Sequence, residues 1–314
     1  MNAKNLWVTR VDEYLAFRRL QGFELRIDAR QLRSFAEFAD KSGEEHITLT
    51  LVTNWAQTSN RQARITWARR VEMLRGFIKF CSRDDLATEL PPKGVFGASH
   101  RRRVPHIFSQ EEFVTLLEQS LRLPSHVGMR PFTCHYVFGL LGCCGLRISE
   151  AIALTRGDVD FENGTLLVRD AKFHQQRLVP LHSSTTEALL AYSEVRDRLI
   201  RHPDNDHFFL ADNGQPIKQA GMLYALHNIG KSLGWQPRGD YPNHRLHDLR
   251  HTFIVRAILR FYREGLNIDQ HILSLSTYVG HANVSDTYWY MTGIPELMAV
   301  AAERFQRFSR GGLA

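Results

Sequence analysis

Several things the chain has little of narrow its reading before any motif is sought. Its 314 residues include four cysteines, Cys81, Cys134, Cys143 and Cys144, with no CxxC pair and no framework spacing. That usage speaks against a disulfide scaffold and fits a reducing cytoplasm. No apolar run approaches the roughly 20 residues that a bilayer crossing needs; the longest, Val137 to Leu146, is far shorter. Met1 to Arg10 already mixes polar and charged residues, so no secretory signal is expected. Internal repeats and low-complexity tracts are lacking as well. Neither sign of charge dominates: 40 Lys+Arg against 33 Asp+Glu leave a net charge of +7. So mild an excess suits a nucleic-acid partner and many ordinary enzymes alike. Apolar content of 43% and charged content of 23% exclude a mostly disordered chain. The length suggests two domains, each able to bury a core.

The distribution of charge says more than its sum. Pro91 to His106 reads PPKGVFGASHRRRVPH, rich in Pro, Gly and Ser, without an acid, and carrying Arg101, Arg102 and Arg103 in a row. It reads as a linker with its basic part at 101–106, either a strap along a polyanion or a solvated connector. Residues 1–100 before it carry helical patterns over Leu6–Leu20 and Ala29–Ala39, with Thr50 a candidate cap for a third helix. In Arg61–Cys81, Trp67, Val71, Leu74, Ile78 and Cys81 fall on one face, and Arg61, Arg64, Arg75 and Lys79 gather on an adjoining one that Glu72 interrupts. A helix laid against DNA phosphates and a solvated face both fit this stripe. An all-α DNA-binding domain is expected here.

Residues 107–314 read as a mixed domain, mainly helical with one small antiparallel three-stranded sheet. Ser109-Gln-Glu-Glu112 resembles a helix start, a helix through Phe132–Leu141 should stop at the Gly142/Gly145 punctuation, and another should open at Arg147. Asn163-Gly164 is a two-residue hairpin signal between Val159–Phe161 and Thr165–Val168. Arg177–Leu181 is a third strand, placed at an edge by Pro180. Helices are expected to resume near Lys218. Ile294 to Phe308 is amphipathic, with Leu297, Met298, Ala301 and Phe305 on its apolar side.

Chemistry concentrates in this second part. In the helix around Thr252, Phe253, Ile254, Ala257, Ile258 and Phe261 form an apolar face with Arg250 at its centre and His247 beside it. A cation on a buried face is costly unless paired. Its partner is either an internal carboxylate, for which Glu150 is a candidate, or a phosphate oxyanion gripped by the guanidinium fork. Arg147 opens a helix that also carries Glu150, Lys172 sits between the second and third strands, and Gly280-His281 precedes Tyr290 by nine residues. Tyr288, two residues away, competes with Tyr290. His244, His247 and His251 with Asp248 could suggest a metal cluster, but HDLRH lacks the Glu of the zinc-protease motif and Arg250 would repel a cation, so no metal is expected.

In that order, GLRISEAIAL, AKFHQQRLVPLH, HDLRHTF and GHANVSDTYWYM resemble the tyrosine recombinase (phage integrase) family over about Arg103 to Phe308. The Tyr-Trp-Tyr-Met-Thr text is nearer to its mobile-element branch. The resemblance implies a type IB topoisomerase-like catalytic fold and a site-specific recombinase acting on duplex DNA. It implies that Tyr290 attacks the scissile phosphate to form a 3′-phosphotyrosyl bond, that Arg147 and Arg250 clamp the non-bridging oxygens, and that Lys172 protonates the leaving 5′-oxygen. His247 would assist proton transfer at the tyrosine, His281 would hydrogen-bond the phosphate, and Glu150 would orient the basic residues. Neither cofactor nor metal is implied. The partners implied are recombination sites in DNA, a homotetramer on synapsed DNA joined through the 294–308 helix, and other recombinases of the same element. A DNA-relaxing topoisomerase and a silent DNA-binding protein of the same fold are the alternatives.

Overall fold

The computed structural model describes residues 6–23, 25–100, 102–171 and 175–309. Two compact units divide the chain, Met1–Arg102 and Arg103–Ala314. The first is built from helices α1 (Leu6–Leu20), α2 (Arg26–Ser42), α3 (Leu49–Gln57) and α4 (Arg64–Cys81). Trp7, Val11, Leu15, Phe35, Trp55, Leu74 and Phe77 are buried together where the four apolar faces meet. Thr48, rather than the expected Thr50, caps α3, its hydroxyl accepting from the Leu51 amide at 3.1 Å. Helix α4 begins at Arg64, so Arg61 lies ahead of the helix and off its face.

The second unit holds α5 (Gln110–Ser120), α6 (Met129–Cys144), α7 (Ile148–Ala153), strands β1 (Val159–Asp160), β2 (Thr165–Ala171) and β3 (Gln175–Pro180), then α8 (Ser183–Leu199), α9 (Gln219–Ser232), α10 (Leu246–Arg263), α11 (Ile268–Val279), α12 (Ser285–Gly293) and α13 (Pro295–Ser309). A capping box opens α5, with Ser109 and Glu112 exchanging side-chain-to-backbone bonds. Helix α6 is buried on most sides, which is why Gly142 sits inside it rather than ending it. A Cβ at Gly142 would collide with the Phe113 ring, and the helix stops at Gly145, whose φ of 62° suits glycine.

The sheet is antiparallel in the order β1-β2-β3, with β3 and its Pro180 at an edge. The first hairpin is looser than a two-residue turn. Asp160 pairs with Thr165, so Phe161 to Gly164 all lie in the loop, and Asn163 is held by its amide and side chain to Asp160 at 2.9 and 2.7 Å. Helix α8 had no expected counterpart; it buries Leu189, Tyr192 and Arg196 against the core.

Residues 104–106 of the expected linker are fastened to the second unit. Val104 and Asp240 exchange hydrogen bonds of 3.1 and 2.8 Å. The buried His106 accepts from the Arg238 amide at 3.2 Å. No helix among the described residues is long and apolar enough to cross a membrane.

Candidate active site

Four separate pieces of chain converge on one cluster: the start of α7, strand β3, the first turns of α10, and the segment from the end of α11 into α12. Glu150 stands at its base, 5% exposed. One of its oxygens accepts from Arg147 Nη1 at 2.6 Å and Arg177 Nη1 at 3.0 Å; the other accepts from the Arg147 amide at 2.9 Å and Arg177 Nη2 at 2.8 Å. Burial alone would raise this carboxyl, but the bonds from Arg177 and Arg147 hold it down at about 2. Glu150 is therefore the fixed anion around which two guanidinium groups are set.

Arg250 has a different environment from the one its sequence context suggested. Glu150 is not its hydrogen-bond partner. Its Nη1 donates to the Gly145 carbonyl at 2.6 Å and its Nη2 to the Val279 carbonyl at 2.8 Å, one at each of two helix ends. Those carbonyls have no helical N–H to receive, so the side chain closes α6 and α11 while they aim it. The group is 1% exposed and its buried Nε lacks a partner. Burial draws the guanidinium down to about 10, which leaves it cationic at neutral pH. Two of five N–H donors are spent on carbonyls, and the fork retains the rest.

Arg177 escaped the sequence reading, which took its segment only as an edge strand. Its Nε donates to the Tyr278 carbonyl at 3.2 Å, and its guanidinium lies so close to Gly280 that a Cβ there would stand 2.8 Å from Cζ. Gly280 has φ of 69° and accepts from Arg147 Nη2 at 2.7 Å. Glycine is needed at this position for its left-handed backbone and for the close approach of an arginine. His281, next in the chain, pairs its Nδ1 with Thr287 Oγ1 at 2.7 Å.

Tyr290 is 3% exposed on α12 and its hydroxyl lies 2.5 Å from His251 Nδ1. Its ring runs nearly parallel to that of His281, with centroids 6.5 Å apart. Tyr288 points elsewhere: it is 39% exposed and its hydroxyl donates to Asp269 at 2.8 Å. His247 meets His251 edge to face at 4.5 Å between centroids. Burial, then Arg250, Arg245 and Arg147, push His247 down to about 4, and His251 is likewise pushed well below the ordinary histidine range. Both imidazoles are neutral at pH 7. Beneath them Asp248 is fully buried, accepting from the Arg245 amide at 2.8 Å and from its side chain at 2.5 and 3.0 Å.

The three histidines weighed as a metal cluster diverge. His244 packs against His106 with centroids 4.4 Å apart, while His247 packs on His251, which meets Tyr290. Lys172 lies outside the described residues.

The expected DNA-contacting cations differ among themselves. Arg64 and Lys79 are exposed on α4, Arg61 is exposed ahead of it, and Arg75 is half-buried, its Nη1 donating to the Pro91 carbonyl within its own unit. Arg102 is exposed, Arg103 lies over the Tyr241 ring at 5.4 Å, and Arg101 is outside the described residues. On α13, Leu297 is 1% exposed and belongs to the core formed by α10 to α12, so it is spoken for within its own unit, whereas Met298 is exposed. The side chains of Ala301 and Phe305 lie outside the described residues.

A helical unit with this small antiparallel sheet, carrying a tyrosine among arginines and histidines, is the architecture of a tyrosine recombinase. The Phage integrase family model matches residues 108–294. The integrase/recombinase y4rB of Sinorhizobium fredii is 35% identical over 301 residues, 95% of this chain and 96% of that one. Tyrosine recombinase XerC of Bacillus subtilis is 29% identical over 231 residues, 73% of this chain and 70% of that one. Among solved structures, the Tn1549 transposon integrase in complex with transposon right end DNA aligns with a TM-score of 0.68 at 18% identity, covering 94% of this chain and 98% of that one. The XerH site-specific recombinase bound to palindromic difH substrate aligns with a TM-score of 0.67 at 19% identity, covering 88% and 78%. The chain belongs to the phage integrase (tyrosine recombinase) family, enzymes that transfer DNA strands.

Proposed function

We propose that this enzyme is a site-specific recombinase of a mobile element, breaking and rejoining duplex DNA through a tyrosine ester. The observation that carries the reading is the burial of Tyr290 near Arg250, in a site where Arg147 and Arg177 share one carboxylate and the three arginines together hold four backbone carbonyls. A phosphodiester placed there would meet guanidinium donors on its non-bridging oxygens, where charge grows as phosphorus becomes five-coordinate. Arg147 and Arg250 fill that role, with Arg177 beside them, and Glu150 holds the first and third in position. Tyr290 Oη attacks phosphorus, the bond to the 5′-oxygen breaks, and Lys172 supplies the proton that oxygen needs. His281 donates to the phosphate and His247 lines the same side. The phosphotyrosyl ester conserves the bond energy, so a 5′-hydroxyl from another strand reseals it without ATP or a metal.

Integration, excision or transposition through a Holliday junction in a tetramer on DNA is the biological setting this reading favours. The naming of y4rB as an integrase/recombinase and the fold shared with a transposon integrase support it. The exposed cations of the first unit and of residues 102 and 103 would hold the phosphate backbone. The test is a nicked suicide substrate carrying a candidate site. A covalent protein–DNA band should form on denaturing gels and vanish in Tyr290→Phe while persisting in Tyr288→Phe. A band that survives Tyr290→Phe would overturn the assignment of the nucleophile, and no band with any cognate site would overturn the reading.

A further inference from the structure

We propose that His251 is the base that takes the phenolic proton of Tyr290, a catalytic role the resemblance placed on His247. The inference rests on Tyr290 being the nucleophile. A phenol with an ordinary pKa of about 10 is almost wholly protonated at neutral pH, so its attack needs an acceptor within hydrogen-bond reach. Three imidazoles stand near Tyr290, and their geometry separates them. His281 has its Nδ1 on Thr287 Oγ1 at 2.7 Å, and its ring lies parallel to the tyrosine with centroids 6.5 Å apart, a face-on placement. His247 sits one helical turn before His251 and packs edge to face on that ring, with centroids 4.5 Å apart. His251 has a ring nitrogen hydrogen-bonded to the tyrosine oxygen, Nδ1 to Oη at 2.5 Å.

The surroundings leave this nitrogen able to accept. His247, Arg245 and Arg250 face His251 from α10 and its N-cap, His281 from the segment after α11, and Tyr290 from α12. Cations and burial keep the ring neutral, and a neutral ring carrying its proton on Nε2 receives the phenol O–H at Nδ1. The same cations would oppose protonation of the ring in the free enzyme. A phosphate seated among Arg147, Arg177 and Arg250 offsets them, so the base strengthens when substrate is in place. In the forward step the Oη–H bond breaks, its proton passes to Nδ1, and the oxygen's electron pair forms the bond to phosphorus. The phosphorus–O5′ bond breaks and that oxygen is protonated from the opposite side. In the reverse step His251 returns the proton to Oη.

The experiment measures single-turnover formation of the covalent adduct on a suicide substrate between pH 6 and 9, with DNA binding followed in parallel by gel shift. The wild-type rate should be nearly flat over this range. His251→Ala should bind DNA as before, react about 10²-fold or more slowly at pH 7, and gain about tenfold per pH unit as solvent-borne base replaces the ring. Added imidazole should restore part of the rate. His251→Asn, which keeps a polar partner for the phenol but cannot carry a proton, should be as slow as the alanine variant. An alanine variant within about threefold of wild type, an asparagine variant at the wild-type rate, or a loss that is equal at every pH and indifferent to imidazole would each overturn the proposal. Loss of the adduct in Tyr290→Phe keeps the underlying reading independent of that result.

Discussion

The cations of the two units are used in opposite ways. On α4 of the first unit, Arg64 and Lys79 extend into solvent, where each acts as a screened point charge. In the second unit Arg147, Arg177 and Arg250 are tied to Glu150 and to carbonyls at the ends of helices and turns. On the proposed reading the exposed set would hold a phosphate backbone of any sequence; the tethered set offers N–H groups in one fixed arrangement. A helix face is enough to produce the first. The second requires four chain segments to be folded before the whole set is aimed, and it gives its cations internal acceptors. The comparison also separates cations of one stripe: Arg75, on the same helix as Lys79, spends its guanidinium on the Pro91 carbonyl and belongs with the tethered kind.

The comparison breaks most sharply at Arg250. Arg250→Ala should lower the cleavage rate by about 10²–10³-fold, the scale of losing one oxyanion donor, measured as adduct formation at saturating enzyme. It should also lower the urea midpoint, because the Gly145 and Val279 carbonyls lose their donors.

Next is Glu150→Gln, which leaves Arg147 and Arg177 without their shared anion and should cost about 3 kcal/mol in urea unfolding at pH 7. Its pH dependence has a definite direction. The folded carboxyl titrates at about 2, below its unfolded value near 4.3, so its stabilisation is complete above the unfolded value and drains away as pH falls from there toward 2. The wild type should therefore show an acid limb in this window that the glutamine variant lacks in part. Equal limbs in the two proteins would mean that Glu150 is not the anchor.

The smallest effect separates Lys79 from Arg75. Lys79→Ala should weaken DNA binding a few-fold and reduce the slope of log affinity against log salt by about one. Arg75→Ala should leave that slope unchanged and instead cost about 1 kcal/mol of stability.

Much of the second unit was legible because its signals are local. The Ser109–Glu112 capping box, the turn residues before Thr165, the edge-strand proline and the Gly145 stop all act within a few residues of themselves. Helix α8 went unread because its buried face offers only Leu189, Tyr192 and Arg196, an arginine among them, with no strong apolar stripe. Arg177 was missed for a related reason. An arginine in a strand looks like a solvent-facing residue until its carboxylate is known, and Glu150 lies 27 residues earlier in the chain. His251 was visible as a partner of His247 at helical spacing, but the residue that gives it meaning, Tyr290, is 39 positions away. The basic run at 101–103 was visible as charge, while the anchoring of Val104 and His106 depends on Arg238 and Asp240, more than 130 residues downstream.

The sequence by itself determined which side chains exist in which order, where several of the helices and turns begin, and that one helix must carry an arginine on its apolar face. Those are properties of nearest neighbours and of periodicity, and they survive without a fold. Only the tertiary structure decided that Arg250 is answered by two helix-end carbonyls, that Glu150 answers the distant Arg177, and that the tyrosine hydroxyl meets His251. Each of those facts is a distance between segments brought together by burying the same apolar surface. A buried charge takes whichever polar group the packing leaves within about 3 Å, and no local pattern in the chain encodes that choice.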